Sequence, residues 1–299
     1  MIEEEKSQPD LWRYVEKHRA PIEKSLREFL PLAPTAISTE FNEAVEYALF
    51  SGGKRLRPVL TLLGAELVGG KTDALFPAAI AGEFVHTSSL IFDDLPCMDN
   101  ASERRGKTSL HEKFGEGLAV LVGIGFLNAA YALVFVNHRE TPERAMQAHA
   151  EIVECVGASG MVGGQSVDLA LAKSAGADYA SNAEYESVRN LKTSALMRLA
   201  LRVGAILAGA NQFQLAHLSR FAGLLGDAYQ LSDDLIDLEE DGEIFKEGKT
   251  FAIEESETAR LKLKTIIEEA KRLLIDNFPP NEARTCLIQL TDYLAARKA

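Results

Sequence analysis

The chain has 299 residues, of which 46% are hydrophobic and 25% charged, and its 44 acidic against 32 basic side chains give a formal charge of −12. That composition supports a sizeable buried core, excludes disorder as a global description, and makes a generic nucleic-acid or anionic-membrane surface a poor fit. Three cysteines, Cys97, Cys155 and Cys286, have neither zinc-ligand spacing nor the even count of a disulfide framework, which suits a reducing cytosol and predicts a cytoplasmic protein.

The opening MIEEEKSQPD is acidic and polar, unlike a signal peptide. Helical periodicity then dominates. Residues 11–29 read as an amphipathic helix that stops near Pro31, and 39–50 as a second, with Glu40 and Glu43 at its positive end. Ser51-Gly52-Gly53 breaks it, and Pro58 suits the first turn of a helix over 59–68 that Gly69-Gly70 ends. Further helices are expected at 76–94, 109–114, 118–138, 143–156, 182–207, 212–238, 254–277 and 282–297. Residues 118–136 reach the length of a membrane span, with only Asn128 strongly polar. Their glycines and alanines keep the hydrophobicity modest, so a central helix buried on all sides is expected rather than a span. Strand-like alternation is hard to find, and no linker or composition shift divides the chain. The expectation is an all-α bundle, one domain over residues 1–299.

Two apolar stretches end in acidic clusters, SSLIFDDLPCMD at 88–99 and YQLSDDLID at 229–237. A helix stacks Asp233 and Asp237, four apart, as paired oxygen ligands on one face. Asp93 and Asp99 are six apart, and at about 100° per residue a continuous helix would separate them. Pro96 has no N–H for the Phe92 carbonyl, so the chain should break there and bring Asp99 back toward Asp93. Clustered carboxylates on apolar helices repel and cost desolvation unless neutralised, and hard divalent cations such as Mg²⁺ do this through oxygen. Cations gather at two places: Lys54, Arg55 and Arg57 after Gly52-Gly53, and Arg104, Arg105 and Lys107 after the first acidic cluster. An exposed basic loop would explain either alone. With the aspartates they predict a diphosphate-and-magnesium site, because the arginine fork matches phosphate oxygens.

These residues resemble the trans-isoprenyl diphosphate synthases, the polyprenyl synthetases. GGKRLRP at 52–58 is similar to their GGKRxRP motif, and Asp93-Asp94-x4-Asp99 with Arg104-Arg105-Gly106 to their first aspartate-rich motif. GMVGGQSVDL at 160–169 resembles their GMxxGQxxDL segment, Lys192-Thr193 their KT pair, and Gln230-x2-Asp233-Asp234-x2-Asp237 their second motif. The stretch from Asp93 to Arg105 most resembles bacterial and plant enzymes that make farnesyl or geranylgeranyl diphosphate. The resemblance implies a homodimeric antiparallel helical bundle around a deep cavity, with diphosphates at its mouth held through roughly three Mg²⁺ ions. It implies that Asp93, Asp99, Asp233 and Asp237 bind metal, with Asp94 in support. Arg104, Lys192, Thr193 and Gln230 would hold the allylic diphosphate, and Lys54, Arg57, His86 and Arg105 isopentenyl diphosphate. Asp93, Asp94, Asp99, Asp233 and Lys192 form the implied catalytic set, and Lys249 the implied cation of the segment that follows.

Ser88 and Ser89 lie five and four residues before Asp93, about 7.5 and 6 Å deeper in a helix. Relatives that stop at fifteen carbons carry a bulky aromatic there, so the two serines point to geranylgeranyl diphosphate, with farnesyl diphosphate the alternative. Several positions depart from the pattern: Phe92 stands for the usual His, Ile124 for Asp, Tyr229 for Phe, Thr108-Ser109 for Pro-Thr, and the stretch 239–250 reads as a shortened loop. A class I terpene cyclase, a regulatory subunit of a heteromeric synthase and a structural helical bundle are the other readings. The first would not need Lys54, Arg57 and Arg105, the second typically loses one aspartate motif, and the third would bind no metal.

Overall fold

Side-chain caps fix where a few of the helices begin. In the computed structural model of this chain, which describes residues 10–173, 183–244 and 249–297, and their side chains outside 171–193 and 237–256, α1 (Leu11–Glu28) opens on Asp10, whose carboxylate accepts from the Arg13 N–H at 2.8 Å. Ser38 caps α2 (Thr39–Leu49) in the same way, accepting from Phe41 at 3.1 Å. Then come α3 (Leu56–Leu67), α4 (Phe76–Asp93), α5 (Leu110–Phe114), α6 (Glu116–Leu133), α7 (Pro142–Val156) and α8 (Met161–Lys173). The long α9 (Ala183–Ala208), α10 (Gln212–Ile244) and α11 (Lys249–Asn277) precede α12 (Glu282–Ala295), which Asn281 caps through the Arg284 N–H.

The centre of the bundle is made by α3, α4, α9 and α10. Helix α3 packs on α9 and α4, α4 on α6, α9 on α10, and α11 and α12 close over α10, while α1 lies against α4 and α12. The α3–α9 approach is close enough that a Cβ at Gly64 would run into the Leu201 carbonyl oxygen and one at Gly204 into that of Thr61. Leu62, Leu63, Phe84, Phe126 and Phe221 are fully buried, with Phe84 and Phe126 edge to face at 5.2 Å between α4 and α6.

The all-α expectation stands, with four local corrections. Residues 161–173, over which no helix is expected above, form one. A short antiparallel hairpin, β1 (Glu103–Arg104) and β2 (Lys107–Thr108), follows the first aspartate cluster. Its two-residue turn, Arg105-Gly106, has positive φ at both positions, 56° and 70°, as a type I′ turn requires. The stretch expected as a loop over 239–250 is helical at both ends, since α10 runs to Ile244 and α11 starts at Lys249. Finally, α6 is not buried on all sides. It is long and apolar enough to cross a membrane, with a mean hydropathy of 1.6, yet only 33% of it is buried. One face packs on α4 through Val122, Gly123, Phe126 and Ala130, and the opposite face leaves Leu121 and Ile124 57% and 52% exposed.

Candidate active site

Helix α4 ends at Asp93, three residues before Pro96, and the chain turns sharply there. The Asp99 N–H donates to the Asp93 carbonyl at 2.9 Å and the Ala101 N–H to that of Asp94 at 3.2 Å, with Asn100 left-handed at φ 51°. The expected fold-back of Asp99 onto Asp93 is present, made by a turn rather than by a bulge within the helix. Asp93 is buried and Asp99 exposed, so the pair runs from the helix end to solvent. Asp94, 4% exposed, accepts from Arg104 Nε at 2.9 Å and Nη2 at 2.5 Å, and this bond is the main reason the Arg104 pKa is raised.

The hairpin divides its two arginines between two places. Arg104 turns to Asp94, while Arg105 donates through Nη1 to the Gly52 carbonyl at 2.5 Å and brings Nη2 within 3.4 Å of His86 Nε2. Lys54, Arg57 and Arg105 therefore meet at one cavity of about 680 Å³, which Tyr229, Tyr293 and Arg297 also line. Arg57 is half-buried, its Nε has no hydrogen-bond partner among the described residues, and burial lowers its pKa. Burial, followed by Arg57, Arg105, Arg104 and Arg55, pushes His86 well below the usual histidine range, so it is neutral; its Nδ1 is buried without a partner. The isopentenyl set implied by the sequence is thus brought together. Arg55 of the same motif serves the frame instead. Left-handed at φ 52°, it is held by Glu83 at 2.8 Å, Glu23 at 3.0 Å and the Leu49 carbonyl at 2.8 Å.

On α10, Gln230 has a buried amide oxygen with no partner among the described residues, and Asp233 is paired with Arg297 Nη1 at 2.7 Å. The Arg297 guanidinium lies over the Tyr229 ring at 4.5 Å. Arg297 was not among the residues singled out from the sequence, and its distance from the aspartates along the chain gives no local signal. Asp237, Lys192, Thr193 and Lys249 lie outside the residues whose side chains are described. Gln165, from the GMVGGQSVDL segment, touches Met98 of the aspartate turn at 3.9 Å.

Ser88 and Ser89 point different ways. Ser88 shares a stripe with Phe84 and Phe92, and both of these face α6: Phe84 meets Phe126, and a Cβ at Gly123 would lie 2.7 Å from the Phe92 ring. That contact accounts for Phe92, whose ring fills the groove Gly123 leaves. Ser88 is fully buried, and its hydroxyl has no hydrogen-bond partner among the described residues. Ser89 lies on the Asp93 face and donates to the His86 carbonyl at 2.8 Å. Two turns deeper, a Cβ at buried Gly82 would meet nothing within 4 Å.

Among the described residues no three His, Cys, Asp or Glu side chains converge tightly enough to hold a metal unaided. Asp93, Asp99 and Asp233 offer carboxylate oxygens, the donor type of a hard divalent ion, which can bind one or two carboxylates and complete its shell with water and substrate phosphate.

The profile of the family described as Polyprenyl synthetase matches residues 38–277. The chain is 36% identical over 295 residues to the chloroplastic geranylgeranyl pyrophosphate synthase of Capsicum annuum, an alignment covering 95% of this chain and 78% of that one. It is 35% identical over 295 residues to a dimethylallyltranstransferase of Fischerella ambigua, covering 94% and 81%. The crystal structure of an FPP/GFPP synthase from Zymomonas mobilis superposes with a TM-score of 0.83 at 29% identity, covering 96% of this chain and 99% of that one. With the glycine turn, both aspartate motifs and the paired arginines inside the matched span, the chain belongs to the polyprenyl synthetase family.

Proposed function

We propose that this prenyltransferase joins isopentenyl diphosphate to allylic diphosphates head to tail and releases geranylgeranyl diphosphate. The observation that carries the reading is the division of labour in the hairpin, which sends Arg104 to the aspartate turn and Arg105 to the cavity of Lys54 and Arg57. Two anion-holding places side by side suit two diphosphate substrates; a cyclase would need one.

Divalent ions held by Asp93, Asp99, Asp233 and Asp237, read here as about three Mg²⁺, would supply the Lewis acidity that eases departure of the allylic diphosphate. Arg104 and Gln230, with Lys192 and Thr193, hold that diphosphate as negative charge builds on it. Gln230 has a buried amide able to present either its oxygen or its NH₂. Lys54, Arg57 and Arg105 hold the second diphosphate, so that the isopentenyl double bond faces the allylic carbon as its C–O bond breaks. Apolar walls keep water from the allylic cation while the new C–C bond forms, and the proton lost from the adduct passes to the departed diphosphate. Small Ser89 and the open space at Gly82 leave room for a fifteen-carbon starter to be extended once.

The reading includes a homodimer, supported by the largely apolar stripe of Leu121, Ile124, Ala132 and Phe135, interrupted by Asn128, exposed along and just past α6. Ile124, the departure from Asp, makes that stripe more apolar. A reducing cytoplasm suits the buried free thiols Cys155 and Cys286, both pushed up to about 12 by burial. Purified protein given labelled isopentenyl diphosphate, Mg²⁺ and five-, ten- or fifteen-carbon allylic diphosphates should yield a twenty-carbon alcohol after dephosphorylation. Absence of incorporation from every starter would refute the reading.

A further inference from the structure

The only tryptophan of the chain, Trp12, stands one residue into α1. The Leu11 N–H donates to Gln289 Oε1 at 2.7 Å, which docks the start of α1 on α12 and sets Trp12 edge to face with Tyr293, ring centroids 5.0 Å apart. Lys54 reaches into this corner from the Gly52-Gly53 turn. Its Nζ donates to the Tyr293 hydroxyl at 2.7 Å and lies 5.2 and 5.7 Å from the Tyr293 and Trp12 ring centroids.

Three of the neighbouring cations are held by carboxylates. Arg104 is paired with Asp94, Arg55 with Glu83 and Glu23, and Arg297 with Asp233. Among the described residues the partners of Lys54 are one neutral hydroxyl and two aromatic rings. A carboxylate would cancel the ammonium charge and compete with an incoming diphosphate. A hydroxyl and two π faces fix the ammonium and leave its charge in place. Lysine on a glycine turn is otherwise among the most mobile of side chains, and holding it in advance removes an ordering cost from binding.

We propose that Trp12 and Tyr293 are positioning residues that pre-orient Lys54 for isopentenyl diphosphate, so that the two ends of the chain set the affinity for one of the two substrates. The inference rests on the reading above that Lys54 holds that diphosphate. It requires Tyr293→Phe, which removes the hydroxyl, to raise the KM for isopentenyl diphosphate by about 2- to 5-fold, the size of one neutral hydrogen bond, and Trp12→Phe, which keeps a smaller and weaker π face, to raise it measurably but by less. The allylic KM, kcat and Tm should stay near wild-type values. Trp12 also reports directly: its emission should change on titration with isopentenyl diphosphate, and the change should vanish in Lys54→Ala.

Isopentenyl KM values equal to wild type in both phenylalanine variants, or equal rises for both substrates, would overturn the positioning role. The alanine variants at the same positions, followed by Tm, separate a loss of folding from a loss of positioning. Lys54→Ala distinguishes the two levels of the argument. An unchanged isopentenyl KM there would remove the assigned diphosphate site and the proposal with it. A raised KM there, with unaffected aromatic variants, would remove the positioning role alone.

Discussion

Replacing Arg55 by methionine should destabilise the protein strongly, because its charge lies where water cannot take over. The Arg55 side chain is 7% exposed and that of its partner Glu83 is 4% exposed. Burial pushes the guanidinium pKa down, and Glu83 and Glu23 push it up by more, so the net shift is upward and Arg55 is charged in the fold. Through Glu23, Leu49 and Glu83 the one side chain ties α1, α2 and α4 to the start of α3. Methionine fills much of the volume but leaves Glu83 as a buried carboxylate without its partner, a situation that costs about 3–5 kcal/mol. At roughly 2–4 °C per kcal/mol for a large domain, Tm should fall by about 6–20 °C. Urea unfolding is the assay, with a lowered midpoint at constant slope. Adding Glu83→Gln to Arg55→Met should recover about 2 kcal/mol or more, because the uncompensated charge is then gone. A single-variant loss below about 1 kcal/mol, or strict additivity in the double variant, would refute the reasoning.

Alanine at Arg57 or Arg105 should raise the KM for isopentenyl diphosphate, and alanine at Arg104 or Lys192 that for the allylic substrate; identical effects on both substrates in all four would mean the pockets are misassigned. Ser89→Phe, on the Asp93 face, should shorten the product by at least one isoprene unit on chromatography. Ser88→Tyr, packed toward α6, should act on stability at least as much as on length, and an unshortened product from both variants would remove the serines from length control. His86 is neutral in the fold with its pKa lowered, so below about pH 6.5 the unfolded chain binds the extra proton and stability falls as pH drops. His86→Gln should flatten that part of the stability curve, and an unchanged pH dependence would count against the neutral, buried histidine.

The helices were legible because periodicity and caps are local. The turn from Asp93 to Asp99 was legible because a proline and a six-residue spacing leave few alternatives. What the sequence hid was made by contacts between distant segments. Nothing near Lys54 announces that Trp12 and Tyr293 enclose it, and nothing near Asp233 announces Arg297. Arg55 reads as one more cation of a basic motif until Glu83, about two turns into α4, is seen beneath it. Helix α8 goes unmarked in the sequence because glycine lowers its intrinsic propensity, and propensity does not register the packing of that helix on α9. For α6, composition alone gave a buried helix, but its apolar residues divide between a face on α4 and a face open to solvent. The two serines could not be told apart until Phe84 and Phe92 showed which stripe of α4 belongs to α6.

The central claim is that the two aspartate clusters hold the ions on which condensation depends, and turnover of Asp93→Ala and Asp233→Ala beside wild type across a Mg²⁺ titration tests it most directly. Each variant should lose about 10²-fold or more in kcat, as expected when a group that stabilises developing charge is removed, with Tm close to wild type. Near-wild-type turnover in either variant, or in wild type with excess chelator, would contradict it.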